Sequence, residues 1–187
     1  MESFFQTNPA SAERLYDKAL DYVFEGGRTF KDKAIMDLFC GTGTIGQLLS
    51  QRTENANIVG VDIVKEAIAD AKRNAKRNNI DNISFFAADV GKFLREYPDY
   101  IDRIDTIVLD PPRAGIAPKT LKKVIALNAE RIVYISCNPS TQARDIKTLE
   151  ESGYMTKKIS LVDQFPHTSH IEAVGLFEKN SEKTETL

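Results

Sequence analysis

The sequence predicts an α/β domain built on a doubly wound, mostly parallel sheet of seven strands, with an antiparallel last strand. Three observations carry this. Apolar strand-like runs alternate with helix-like runs of about ten residues, the pattern of βαβ units. A glycine-rich turn follows the first strand directly. Only a loop separates the last two strands, so they pair antiparallel.

The elements follow in order. "NPASAERLYDKALDYVFEG" reads as a helix: Asn8 caps it, Pro9 suits its first turn, and Gly26 and Gly27 end it. Leu15, Ala19, Tyr22 and Val23 recur at helical spacing. The strands are "AIMDLF", "ANIVGVD", "ISFFAAD", "IDTIVLD", "RIVYIS", "YMTKKISLVDQF" and "EAVGLFEK". Between them lie helices over "TIGQLLSQR", "IVKEAIADAKRNAKRNN", "VGKFLREY", "PKTLKKVIALN" and "PSTQARDIKTLEES", the last ending at Gly153. The organisation expected is an N-terminal helical segment over 1–30 packed on a catalytic domain over 31–179, with a polar tail over 180–187.

Composition narrows the class. A chain of 187 residues, 42% hydrophobic and 28% charged, suits one soluble domain with a full core. No apolar run reaches membrane-spanning length, and no signal-peptide pattern opens the chain. The two cysteines, Cys40 and Cys137, form no CxxC pair, which argues against zinc and iron–sulfur sites and for a cytoplasmic, reduced protein. A formal net charge of −2 gives no overall attraction for nucleic acid. The basic run Lys72, Arg73, Lys76 and Arg77 has the helical spacing of a solvated outer face.

"DLFCGTGTIG" carries the first functional signal. Gly41, Gly43 and Gly46 match G-x-G-x-x-G, and Asp62 ends the second strand about twenty residues on. This resembles a dinucleotide fingerprint, but its physics is generic: glycines admit a ligand close to the backbone, and the acid accepts from ribose hydroxyls. The acids separate the alternatives. Asp37 would sit badly beside a pyrophosphate and well beside the ammonium of S-adenosylmethionine. Asp89, after the third strand, is placed for an adenine amino group. Helix capping is the competing reading for each Asp. Three of them at three successive strand ends favour the methyl donor, with an NAD-linked oxidoreductase as the alternative.

"LDPPRAG" ends the fourth strand. Its prolines make a stiff turn that holds Asp110 at the carboxyl edge of the sheet, and Arg113 stands free to pair with a phosphate or carboxylate. "VYISCNPST" ends the fifth strand. Cys137 there is either a small core residue or a nucleophile, and the helix start after it, which lowers a thiol pKa, favours the nucleophile. Cys40 reads as packing.

Taken together, "FFQTNP", "DLFCGTGTIG", "LDPPRAG", "YISCNPST" and "FPHTSHIEAVGLF" resemble the RNA uracil-5 methyltransferases, which make 5-methyluridine in tRNA and 23S rRNA. The resemblance runs from about Phe4 to Phe177. It implies a Rossmann-like methyltransferase fold, S-adenosylmethionine as cofactor and an RNA substrate, ribosomal RNA ahead of tRNA, bound by a monomer without metal or membrane. By resemblance Cys137 is the nucleophile and Glu172 the base. Gln6, Phe39, Thr44, Asp62, Asp89 and Asp110 match cofactor-contacting positions, with Gln6 and Asp110 also near the target base. His167 and His170 imply a turn or substrate-loop role, since a metal site lacks a third ligand at suitable spacing.

The implied chemistry is covalent. A thiolate adding to uracil C6 makes C5 nucleophilic; a base then removes the C5 proton and the thiolate leaves. An RNA cytosine-C5 methyltransferase would carry a cysteine beside the fourth-strand motif, and "DPPR" has none. Family members usually carry N-terminal RNA-binding domains of the OB type, and some hold an iron–sulfur cluster. The chain begins almost at "FFQTN", so the resemblance implies an excised catalytic domain or a shortened relative, and a cofactor-binding module silent by itself is a further alternative.

Overall fold

Seven strands form one sheet in the order β3-β2-β1-β4-β5-β7-β6 in the computed structural model, which describes residues 9–53, 55–101, 103–164, 168 and 170–180. Gln6, Asn8 and His167 lie outside the described residues, as do "FFQTN" and the tail from Ser181. The strands are β1 (Ala34–Leu38), β2 (Asn57–Asp62), β3 (Ile83–Ala87), β4 (Ile104–Leu109), β5 (Arg131–Ser136), β6 (Tyr154–Val162) and β7 (Glu172–Lys179). Strands β1 to β5 pair in parallel, while β7 runs antiparallel to both β5 and β6, wedged between them. The expected antiparallel last strand is therefore present.

The helices are α1 (Pro9–Phe24), α2 (Thr44–Arg52), α3 (Lys65–Arg77), α4 (Val90–Glu96), α5 (Pro118–Ala126) and α6 (Pro139–Glu151). Sheet residues alternate between two cores because successive side chains point to opposite faces. Ile35, Ile58, Val108, Val133 and Val174 pack with Leu15, Leu20 and Val23 of α1 and Ile45 and Leu49 of α2. Met36, Val59, Ile107, Ile132 and Phe177 pack with Phe93 of α4, Leu121 and Val124 of α5 and Leu149 of α6. The central strands β4 and β5 are buried at every position, which explains the apolar runs over 107–109 and 132–135 within them. Helix α3 sets Ile68, Ala71 and Ala75 against Phe85 and leaves Lys72, Arg73, Lys76 and Arg77 exposed, as its spacing predicts.

One long-range tie has no local sequence signal. Arg131, buried in β5, donates to the carbonyls of Tyr22, Val23 and Glu25 at 2.7, 3.1 and 3.1 Å. It satisfies the last carbonyls of α1, which the helix cannot pair internally. Helix α1 is thereby fixed to the strand that carries Cys137.

The parallel strands end together, and β7 begins at that same edge. Their order reverses between β1 and β4, the switch point where open α/β sheets take their ligands.

Candidate active site

The first half of this edge is the turn after β1. Phe39, Gly41 and Gly43 all have positive φ, at 63°, 52° and 80°. The N–H groups of Phe39 and Cys40 both point at the Val61 carbonyl, which presses the turn onto β2. Gly43 is required twice over: its φ suits glycine, and a Cβ would stand 2.6 Å from the Phe85 ring. Half-buried Phe39 packs on the core beneath, and Thr44 opens α2 exposed at the mouth. Cys40 is buried beside Phe85, Ile68 and Ala71, the packing role expected for it.

The carboxylates of this half are held by backbone. Asp62 accepts from the Gly41 N–H at 2.9 Å and from the Val64 N–H at 2.8 Å, so it shapes the turn that it borders. Asp37 is fully buried and accepts from the Gly46 N–H at 2.8 Å. Gly46 is the third residue of α2, whose N-cap Gly43 has no side chain, so a strand carboxylate serves a free helix N–H. The other oxygen of Asp37, Oδ1, is buried with no hydrogen-bond partner among the described residues. Burial first, then the Asp110 and Asp62 carboxylates, push Asp37 up to about 8.

Asp89 takes the capping role that competed with ligand contact in the sequence. It is the N-cap of α4, accepts from the Gly91 and Lys92 N–H groups at 2.8 and 3.1 Å, and pairs with Lys123 at 3.1 Å. Lys123 and these N–H groups hold its pKa down.

The second half of the edge comes from β4, β5 and β7. Strand register pairs Ser136 with Ala173, so the next residues along, Cys137 and Glu172, fall opposite one another. Asp110 and Arg113 follow β4 immediately. Electrostatics tie these side chains into one cluster. Burial and then the Glu172 carboxylate push Asp110 up to about 7. Burial raises Glu172 as well, opposed by Arg113.

Cys137 is half-buried, and its thiol pKa moves the opposite way from the sequence expectation. Burial leads, and Glu172 and Asp110 also raise it, while the Arg113 guanidinium lowers it. At the start of α6 the Asn138 side chain accepts from the Ser140 N–H at 3.2 Å and caps the helix. Among the described residues no group of three His, Cys, Asp or Glu side chains is arranged to hold a metal ion, and His170 is exposed.

The edge therefore gathers carboxylates that disfavour one another's ionisation: Asp37 feels both Asp110 and Asp62, and one buried acceptor has no donor among the described residues. Such a site favours a cationic ligand over an anionic pyrophosphate. A doubly wound sheet in this order with an acidic glycine turn defines the Rossmann-like methyltransferase fold. Magnesium protoporphyrin IX methyltransferase of Synechocystis, solved with bound S-adenosylmethionine, shares that fold at a TM-score of 0.64 and 16% identity, covering 91% of this chain and 81% of its own.

The family is narrower. The family model for tRNA (uracil-5-)-methyltransferase matches residues 1–180, and the chain belongs to that family. It is similar to a tRNA (uracil-54, C5)-methyltransferase of Pyrococcus abyssi, solved in complex with S-adenosyl-L-homocysteine, with 36% identity and a TM-score of 0.74 over 94% of this chain and 40% of that one. RNA methyltransferases of Clostridium acetobutylicum and Fusobacterium nucleatum, themselves uncharacterised, are each 45% identical over 177 residues. The match covers 95% of this chain and 37% of each relative, so the chain spans little more than a third of their length.

Proposed function

We propose that the chain is the catalytic domain of an S-adenosylmethionine-dependent methyltransferase acting on C5 of uracil in RNA. The observation that carries this reading is the register that sets Cys137 opposite Glu172 on the ligand edge of the sheet. Family membership and the cation-favouring edge count against the NAD-linked alternative.

S-adenosylmethionine would supply an electrophilic methyl group. Gly41, Gly43 and Thr44 form the turn that receives it, beside Phe39. Asp62 would accept from its ribose, the unpartnered oxygen of Asp37 would meet its ammonium, and Asp89 would receive the adenine amino group. Gln6 completes this set by resemblance alone.

The remaining steps belong to Cys137, Glu172 and their neighbours. The Cys137 thiolate forms a bond to C6 of uracil, and the C5–C6 π electrons move into an enolate. C5 then carries the electron density needed to take the methyl group. Glu172 removes the C5 proton, and those electrons restore the C5–C6 double bond as the C6–S bond breaks. A raised Glu172 holds that proton more readily than an ordinary surface carboxylate would. Arg113 favours the thiolate, and Asp110 would bind the target base, with His167 added from the sequence alone.

The RNA expected from the sequence is 23S rRNA in the cytoplasm. A tRNA substrate is the second reading, favoured by the family description and by the Pyrococcus abyssi enzyme. Mass spectrometry of rRNA and tRNA from cells lacking the gene decides it: one RNA loses a 5-methyluridine. Unchanged 5-methyluridine in both would overturn the proposal.

A further inference from the structure

The loop after β4 is gripped from one side by α6, and the grip centres on a residue with no part in the chemistry above. Asp145 is buried, with only 2% of its surface exposed. Its Oδ2 accepts from the Ile116 N–H at 2.9 Å and from the Tyr134 hydroxyl at 2.8 Å. Its Oδ1 accepts from the Arg144 guanidinium at 2.9 and 2.8 Å. Arg144 in turn donates to the Ala114 and Ile116 carbonyls, each at 3.3 Å.

One turn earlier on α6, the Thr141 hydroxyl and the Asn138 amide donate to the Arg113 carbonyl at 3.3 and 3.2 Å. Helix and loop touch so closely that a Cβ on Gly115, which has φ +75°, would stand 2.7 Å from Arg144 and 2.9 Å from Asp145. Tyr134 lies three residues before Cys137 on β5, and its own carbonyl is held by Gln142 of α6 at 2.8 Å. One buried carboxylate thus joins the loop bearing Asp110 and Arg113 to the strand bearing Cys137.

We infer that Asp145 is a positioning residue, which holds the loop carrying Arg113 in place beside Cys137 by clamping that loop to α6 and β5. The inference rests on Cys137 being the nucleophile of the proposed function, but its test needs no methyl transfer.

The charged and titratable groups that bear on Cys137 are Glu172 from β7, Asp110 and Arg113 from the loop, and Tyr134 from its own strand. Arg113 is the group among them that stabilises the thiolate. Loosening the clamp, which grips residues 113–116, withdraws that support, while Asp110 stays tied to β1 by its N–H to the Leu38 carbonyl at 3.4 Å and Glu172 stays on β7. An Asn at 145 keeps the size and an acceptor but gives up the charge that orients Arg144.

The test is the pH profile of Cys137 alkylation by iodoacetamide, read by peptide mass so that buried Cys40 is counted separately. Asp145→Asn should raise the apparent pKa of the thiol by about half a unit or more, seen as an about threefold slower reaction at pH 7. Arg113→Gln should do the same, and the double variant should react no more slowly than Arg113→Gln alone. Thr141→Val, which removes the hydroxyl shared between the Arg113 carbonyl of the loop and the Asn138 carbonyl of the α6 start at 3.3 and 3.0 Å, should shift the profile in the same direction. Thr141→Ser should restore it. Should Asp145→Asn fail to fold, the Thr141 pair decides the matter. An unchanged profile in folded Asp145→Asn or Thr141→Val, or additive shifts in the double variant, would overturn the inference. Loss of the proposed methyl transfer with the alkylation pattern intact would sink the function and leave the positioning role standing.

Discussion

The two halves of the sheet's carboxyl edge handle their acids in opposite ways. Beside β1 to β3, Asp37, Asp62 and Asp89 are each held by backbone N–H groups of the turns they border. Beside β4, β5 and β7, burial raises Asp110, Cys137 and Glu172; the Glu172 carboxylate raises Asp110 and Cys137 further, and Arg113 opposes at Cys137 and Glu172. Backbone-held acids are rigid and present fixed acceptors to a ligand. An Asp110 at about 7 and a raised Glu172 exchange protons near neutral pH more readily than ordinary carboxylates do. In the proposed function the first is the binding half of the edge and the second the chemical half.

The sharpest way to break that division is Cys137→Ala. Methyl transfer to RNA should fall by about three orders of magnitude or more, with cofactor affinity and thermal stability close to the parent. Radiolabelled transfer and a binding titration measure the two quantities side by side. Retained turnover would remove the nucleophile from the second half.

Glu172→Gln comes next. Addition and methylation proceed while elimination stalls, so turnover should drop by about a hundredfold or more. A covalent RNA–protein adduct should persist through denaturing electrophoresis. If competent RNA leaves no such adduct, the base lies elsewhere.

Asp37 tests the other half through pH. Its folded value of about 8 stands above the ordinary 3.8. The native state therefore keeps a proton that the unfolded chain has lost within that window. The contribution is full below about 3.8, declines as pH rises, and is gone above about 8. Urea titrations between pH 5 and 8 should show parent stability falling by up to the order of 1 kcal/mol per pH unit from this group, and Asp37→Asn should remove that component. Binding of a cationic ligand should release a proton at pH 7, detectable by calorimetry in buffers of different ionisation enthalpy. Equal slopes in parent and variant would mean that Asp37 is charged throughout.

Much of this division was legible in the sequence, for reasons that are local. The glycine turn, the acids at strand ends and the alternating strands and helices are short-range patterns. Helix α3 begins at Lys65 rather than Ile63, because Asp62 takes the Val64 N–H and turns the chain first, leaving Ile63 72% exposed. Glu172 looks locally like any strand carboxylate, and its place opposite Cys137 exists only through the β5–β7 register. Arg131 and Asp145 were not legible at all. Their partners lie tens to a hundred residues away, and neither belongs to a spacing pattern. The reversed thiol shift has the same origin: the helix start is visible in "CNPST", while the burial that raises the thiol, and after it the Glu172 and Asp110 carboxylates, come from the tertiary fold.

Asp62→Ala should cost a smaller amount than the catalytic changes. It removes the ribose acceptor and also frees the Gly41 and Val64 N–H groups. Cofactor affinity should weaken by about 1.5–3 kcal/mol, roughly ten- to a hundredfold, which isothermal titration measures directly. Unchanged affinity would contradict the ribose contact.

The smallest effect belongs to Asp89, and it decides how far the binding half extends. Asp89 is an exposed cap paired with an exposed lysine, so the Lys123 pair adds little to stability. Asn caps helices about as well as Asp, so Asp89→Asn should leave stability within about 0.5 kcal/mol, whereas Asp89→Ala should lose about 1 kcal/mol with the cap. The two variants also separate the cap from the ligand. An Asn side chain can still accept from an adenine amino group, so Asp89→Asn should bind cofactor much like the parent. If Asp89→Ala is destabilised yet binds cofactor as tightly as the parent, Asp89 is a cap alone and the binding half ends at β2. If affinity falls along with the cap, the half runs through β3, and all three acids serve the ligand as well as their helices.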